Sequence, residues 1–394
     1  MRSTPASRTF SAVLIAALGH FTVDFYSGML PPLLPRFADK FGLSLAMAGA
    51  IMSVTSMVSS FSQPAFGYLF DRAGRLWPVA LALGWASVLG GLVGLMPTYA
   101  SLIGLVVLAG LGSAAFHPLG AILAAGASGG RKSLAMSLFN AGGSLGFAVA
   151  PLVVVPLVRA QGLPAVYKLI PVGLVSLLAV LLAGVHRGEA LKEHGGAVPL
   201  RTLLSTRPRT LITLAFMMGS RAWAASAVVY AIPFLYRPAL GEAGAGFLLT
   251  GYLLAGTFGG IAGGYLGDRF GVKTMVIASC LAAMPVLAWG LSLTGPAVWG
   301  VLLVGGAVAH MGFPSMVVLA QETLPANAAM ASGLAMGFAF GVGGLGVILT
   351  GLAADRFGLL PAVLANLLLL AVSALLAEAL DRSSRLEQGL AVPQ

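Results

Sequence analysis

Charge is what this chain has least of. Only 9% of its 394 residues are Asp, Glu, Lys or Arg, where a soluble globular protein carries about 25%. With 58% hydrophobic residues and a mean hydropathy of +0.95, this scarcity excludes a water-soluble fold and makes a lipid bilayer the partner. Cysteine is almost missing: Cys280 stands alone in an apolar run, so no internal disulfide forms. A phosphate-binding loop is missing too, and with it ATP hydrolysis. Two look-alikes fail on context. "GVGGLG" (Gly341–Gly346) lies inside an apolar run with no strand before it, and "GASGG" (Gly126–Gly130) follows an apolar run with no triad around it. The net charge of +10 is spread singly between apolar runs, which argues against nucleic acid. An enzyme, a cofactor and a nucleic-acid partner are therefore not expected.

What is there is a series of long apolar runs. Spanning a membrane takes about 20 apolar residues. Twelve runs qualify: 10–34, 45–69, 76–96, 99–124, 133–158, 165–185, 211–236, 246–267, 273–293, 297–320, 327–353 and 360–380. Arg2 and Arg8 precede the first, which at about 25 residues exceeds the roughly 7–15 of a signal-peptide core, so it reads as a first transmembrane helix. The polar stretch 186–209 divides the runs six and six. It predicts bundles over 1–185 and 210–394 joined by a cytoplasmic linker. With the N-terminus inside, fifteen of the 22 Lys and Arg fall in cytoplasmic segments and six outside, and Arg221 lies within a run. Both termini are then cytoplasmic.

The two halves repeat. "GYLFDRAGR" (Gly67–Arg75) follows the second run and "GYLGDRFGVK" (Gly264–Lys273) the eighth. "GSAAFHP" (Gly112–Pro118) lies in the fourth run and "GAVAHMGFP" (Gly306–Pro314) in the tenth. Matched elements sit six runs apart, the mark of an internal repeat.

The loop carrying Asp71, Arg72 and Arg75, echoed by Asp268, Arg269 and Lys273, resembles the signature loop of the major facilitator superfamily. A third partial copy, "GLAADRFG" (Gly351–Gly358), ends the eleventh run. Within the superfamily, "GHFTVDFYSGMLPPLLP" (Gly19–Pro35), "SSFSQPAFGYLFDR" (Ser59–Arg72), "GLGSAAFHPLG" (Gly110–Gly120) and "AMSLFNAGGSLGFAVAP" (Ala135–Pro151) are similar to the fosmidomycin resistance family of efflux proteins. The resemblance implies an all-α membrane fold of two pseudo-symmetric six-helix bundles, with runs 1, 4, 7 and 10 lining a central cavity. It also implies that the loop residues gate the cytoplasmic side. Asp71 would meet the start of run 11 near Asn327, and Asp268 the start of run 5 near Arg131 and Lys132, where a helix N-terminus favours a carboxylate. The antiporter pattern of run 5 survives only as Gly146-Phe-Ala-Val-Ala150-Pro151.

An ionisable side chain at mid-membrane costs about 2.5–3.5 kcal/mol on insertion scales, so it usually faces a cavity or a partner. His20 and Asp24 in run 1, His117 in run 4, Arg221 in run 7 and His310 in run 10 are the candidates. Aligning Pro32 with Pro233 sets His20 opposite Arg221 in the repeat. Asp24, tuned by His20 one turn away, reads as the proton carrier, against a fixed pair that merely locks the helix. Arg221 reads as the anion-binding fork or as a counter-ion for Asp24. His117 and His310 either bind substrate or bond a carbonyl freed by a nearby Pro. Gln63 and Asn140 either contact substrate or hold helices together. A metal is not expected, because no compact ligand spacing exists beyond His20 and Asp24.

The expectation is a monomeric secondary transporter in a bacterial inner membrane, exporting a small anionic or zwitterionic compound or drug by proton antiport. Proton-linked uptake of an organic anion and a non-transporting receptor remain alternatives.

Overall fold

Apolar runs in a bilayer must satisfy their own backbone hydrogen bonds, and helices do so within one segment. The computed structural model describes residues 5–73, 78–128, 132–184, 205, 208–324 and 337–390. Its elements are α1 (Pro5–Gly28), α2 (Leu30–Phe41), α3 (Leu45–Ala73), α4 (Pro78–Gly91), α5 (Tyr99–Gly126), α6 (Lys132–Gln161), α7 (Ile170–Leu182), α8 (Pro208–Phe270), α9 (Val272–Ser292), α10 (Ala297–Thr323), α11 (Ala339–Phe357) and α12 (Leu359–Leu390). Short 3₁₀ turns over Val93–Leu95 and Leu163–Leu169 extend α4 and precede α7.

Eleven helical stretches are long and apolar enough to cross a membrane. One of them, α8, has 63 residues, which at about 1.5 Å per residue is some three times a hydrocarbon core of about 30 Å. Gly241 breaks it with φ 67 and ψ 175, so α8 contains two spans and the described residues hold twelve. A side chain at that φ is disfavoured, and glycine adopts it freely. The start of the expected eleventh run lies outside the described residues.

The first span is longer than hydropathy suggests. The helix is interrupted near Met29 but continues through Pro35 to Phe41 and stops at Gly42, whose φ is 62. Hydropathy fails here because charges interrupt it, while the apolar face persists: Leu33, Leu34 and Phe37 are fully buried. Arg36 donates to Glu242 at 2.6 Å and Lys40 to the Met96 carbonyl at 2.6 Å, so both cations are used at the helix end.

Contacts divide the chain into two compact units. The first comprises Met1–Leu43, Val54–Glu193 and Leu240–Thr250, and the second Ser44–Ser53, His194–Ala239 and Gly251–Gln394. In the first, Val23, Leu83, Phe116, Leu119 and Phe139 form the core, and α1 lies along α6. Small residues permit that approach: Gly142 and Gly146 of α6 sit directly on the backbone of Ala17 and Phe21. In the second, Leu214, Met217, Met218, Val276, Met316 and Ala320 form the core. There Gly259 and Gly263 of α8 rest on the backbone of Ala307 and Met311 in α10, so these two glycines allow the same close helix approach. Leu81, Val175, Phe258, Leu182 and Leu375 are all more than 60% exposed. Such a surface would aggregate in water and is the ordinary lipid-facing coat of a membrane bundle.

Candidate functional site

In the first unit, α1 presents His20 and Asp24 one turn apart, and α5 brings His117 to the same carboxylate. His20 Nε2 lies 3.2 Å from one Asp24 oxygen and His117 Nε2 3.3 Å from the other. The remaining ring nitrogens are committed: His20 Nδ1 bonds the Phe139 carbonyl at 2.8 Å and His117 Nδ1 the Ser113 carbonyl at 2.7 Å. A carbonyl only accepts, so both Nδ1 atoms carry hydrogen and each Nε2 faces Asp24. This arrangement lets a proton or another cation sit between the two rings and the carboxylate. Phe139 stacks on His20 at 4.1 Å between centroids and fixes the ring further. The side chains of Asp24 and His117 keep 23% and 22% of their surface, so the cluster is reachable from one side.

Gly143 of α6 closes the other side. A Cβ there would stand 2.5 Å from His20 Nε2 and 2.6 Å from Asp24 Oδ2. The sequence analysis did not single out Gly143. Its only signal is the glycine pair in "NAGGSLG", whose contact partner depends on how α6 meets α1.

In the second unit the residue matching His20 is a cation. Arg221 is 5% exposed and donates to the Ala309 carbonyl of α10. Among the described residues its Nε has no hydrogen-bond partner, and no carboxylate is in ion-pair contact with it. Asp24 is held by the two histidines of its own unit. His310, next to Ala309, bonds the Gly306 carbonyl through Nδ1 at 2.9 Å and meets the Tyr252 ring edge-on at 6.0 Å. Tyr252 is fully buried, and its hydroxyl has no hydrogen-bond partner among the described residues. Sequence reasoning passed over it because a Tyr in an apolar run carries no distinguishing pattern.

Pro118 leaves the Ala114 carbonyl without its usual N–H, and Pro314 that of His310, whereas the histidines bond Ser113 and Gly306. Both simply reach back one turn. Gln63 is half-buried and Asn140 exposed.

Relatives agree with this architecture. The family model described as Major Facilitator Superfamily matches residues 16–243. The chain belongs to the major facilitator superfamily. The fosmidomycin resistance protein of Escherichia coli K12 is 30% identical over 368 residues, covering 90% of this chain and 89% of its own. The uncharacterised MFS-type transporter YfnC of Bacillus subtilis is 30% identical over 375 residues, 92% and 90% of the two chains. Among solved structures, a bacterial homolog of the human lysosomal transporter Spinster, in an inward-facing unoccupied conformation, superposes with a TM-score of 0.79 over 98% of this chain and 99% of that one at 15% identity. This last likeness speaks for the fold alone.

The superfamily's signature loop is only partly visible. Asp71 and Arg72 end α3, while Arg75, Arg131 and Asn327 lie outside the described residues, as do the side chains of Asp71, Arg72 and Lys132. Asp268 and Arg269 are exposed, with Arg269 over the Phe270 ring at 5.4 Å. Lys273 pairs with Glu378 of α12 at 3.2 Å, a partner that the loop pattern did not suggest. The third partial copy has a clear contact. Asp355 accepts from the N–H groups of Leu45 at 2.7 Å and Ala46 at 3.0 Å, capping the start of α3. A carboxylate is favoured there by the unpaired amides and the helix dipole.

Proposed function

We propose that this superfamily transporter exports a small anionic or zwitterionic compound in exchange for protons, with Asp24 and His20 carrying the coupling proton and Arg221 binding the substrate's anionic group. The observation behind the reading is the buried Arg221, a fixed cation without a carboxylate partner among the described residues. A guanidinium inside a membrane protein is stabilised by a complementary anion, and its planar fork suits carboxylate or phosphonate. The names of relatives are compatible: fosmidomycin is a phosphonate, and another relative, 27% identical, is a gentisate transporter, gentisate being a carboxylate. His117, His310, Gln63 and Asn140 complete the substrate path in this reading.

The coupling argument rests on Asp24. Since both Nδ1 positions are committed to carbonyls, the exchangeable proton resides among Asp24 and the two Nε2 atoms. Asp71, Arg72, Arg75, Asp268, Arg269 and Lys273 would form the cytoplasmic gate. The protein would work as a monomer in the bacterial inner membrane, with bundles 1–185 and 210–394 joined by the linker 186–209 and both termini in the cytoplasm.

Reconstituted protein tests the direction. Under antiport, labelled substrate accumulates in vesicles whose lumen is the acidic side. Accumulation away from the acidic side instead supports import of an organic anion, the reading favoured by the gentisate and 4-methylmuconolactone transporters among the relatives. Binding with no flux in either gradient leaves only a receptor. Cysteines placed at Gly195 and Thr294 in a Cys280→Ala background should label from opposite faces, and same-side labelling overturns the topology.

A further inference from the structure

The spacing of ligand residues in the sequence argued against a metal, but the fold assembles a set that spacing along the chain does not reveal. His20, Asp24 and His117 come from two helices, and one ligand atom from each lies within 4.8 Å of the others. We propose that these three side chains form a binding site for a divalent transition-metal ion of the zinc type. The proposal goes beyond the transport reading, since it needs neither Arg221 nor a direction of flux.

The donor set suits such an ion. Two imidazole nitrogens and one carboxylate are borderline ligands of the kind that hold zinc-like metals, whereas magnesium and calcium prefer oxygen alone. The tautomers are also set for it. Metal-bound histidines usually donate their other ring N–H to a carbonyl or carboxylate, which orients the ring and leaves one lone pair for the ion. Here the Phe139 and Ser113 carbonyls do this at 2.8 and 2.7 Å, and both free Nε2 atoms point at the same carboxylate.

The carboxylate lies between the rings, with His20 Nε2 3.2 Å from one of its oxygens and His117 Nε2 3.3 Å from the other. Ligands at about 2.0–2.1 Å from a tetrahedral metal stand about 3.3 Å apart, so the set, within 4.8 Å, would draw in slightly around an ion. Gly143 seals one side, while the partial exposure of Asp24 and His117 leaves the other for a water or a ligand in a fourth position. Three protein ligands with one open position also describe an exchangeable site better than a permanent structural one. A metal there occupies the lone pairs that a coupling proton would use, so the two cations compete.

The test uses full-length, tag-free protein in lipid nanodiscs, titrated with Co²⁺ and followed by its visible d–d absorption. The expected result is saturation at one ion per chain, with displacement by Zn²⁺. His117→Ala should weaken binding by at least about tenfold, the loss already typical of disturbing a ligand's outer partner. Asp24→Asn, which keeps the shape, should do the same and guards against a misfolded His117 variant. His310→Ala supplies the control, because that ring makes the same one-turn backbone bond without a carboxylate. Absence of saturable absorption on monodisperse protein overturns the site. So does unchanged affinity in both variants, or equal weakening by His310→Ala. Gradient-driven flux measured without metal separates the two readings: flux without Co²⁺ binding rejects only the metal, and Co²⁺ binding without flux rejects only the coupled transport.

Discussion

The fourth and tenth spans offer a controlled comparison. Each carries a histidine that bonds the carbonyl one turn back, His117 to Ser113 and His310 to Gly306. What the rings then meet differs in sign. His117 faces Asp24, which also holds His20, while His310 stands beside Ala309, the residue to which buried Arg221 donates. The repeat preserves backbone scaffolding and reverses the electrostatics on it. Under the proposed function, the first half would serve small cations and the second an anion, from equivalent helices of the repeat.

The largest expected effect breaks the cationic half. Asp24→Asn mimics a permanently protonated carboxylate and keeps the side-chain shape. Proton-driven accumulation in proteoliposomes should disappear, while substrate binding and substrate-for-substrate exchange survive. Uphill transport at the wild-type gradient would make Asp24 structural.

Arg221→Lys attacks the other half while keeping its charge. A hydrogen bond to a charged group contributes about 1.5–3 kcal/mol, and 1.4 kcal/mol is tenfold in affinity. Affinity for an anionic substrate should therefore fall about tenfold or more, measured by calorimetry on folded protein. Equal affinities for both proteins would show that the fork binds nothing.

This asymmetry was only partly legible in the sequence. Run lengths gave the twelve spans because bilayer thickness imposes a length that composition reveals directly. The repeated loop and histidine motifs suggested two related halves. Singling out ionisable residues in apolar runs found Asp24, His20, His117, Arg221 and His310, since charge in a membrane is rare enough to stand out. Their pairing was not legible. His117 is 93 positions from Asp24 along the chain, and their meeting depends on α1 packing beside α5. Tyr252 and Gly143 were missed because apolar context gives a hydroxyl or a hydrogen-only side chain no contrast. Asp355 was recognised as a motif, but its capping of α3 needed the three-dimensional register.

Gly143→Ala sharpens the comparison by disturbing one half from outside its charges. The added methyl meets both His20 and Asp24, and overpacking costs about 1–3 kcal/mol. Coupled transport should slow several-fold while Arg221-dependent binding stays within about twofold. The same change at Gly104, which has nothing within 4 Å of an added Cβ, should be silent in both assays. A silent Gly143→Ala would mean that α6 and α1 separate easily and that the cluster is not held as tightly as its contacts suggest.

The smallest effect belongs to the pair with which the comparison began. Glutamine can replace either histidine and still donate to the carbonyl one turn back, but it cannot hold a proton against a carboxylate. His117→Gln should therefore weaken proton-driven transport several-fold by removing one of the two imidazoles on Asp24. His310→Gln loses no carboxylate partner, so its ratio should stay near the wild-type value. The measurement is the ratio of driven transport to substrate exchange for the two variants, which cancels any loss of folded protein. If His310→Gln lowers that ratio as much as His117→Gln, coupling is shared between the halves, and the opposite signs around the two rings do not divide the work.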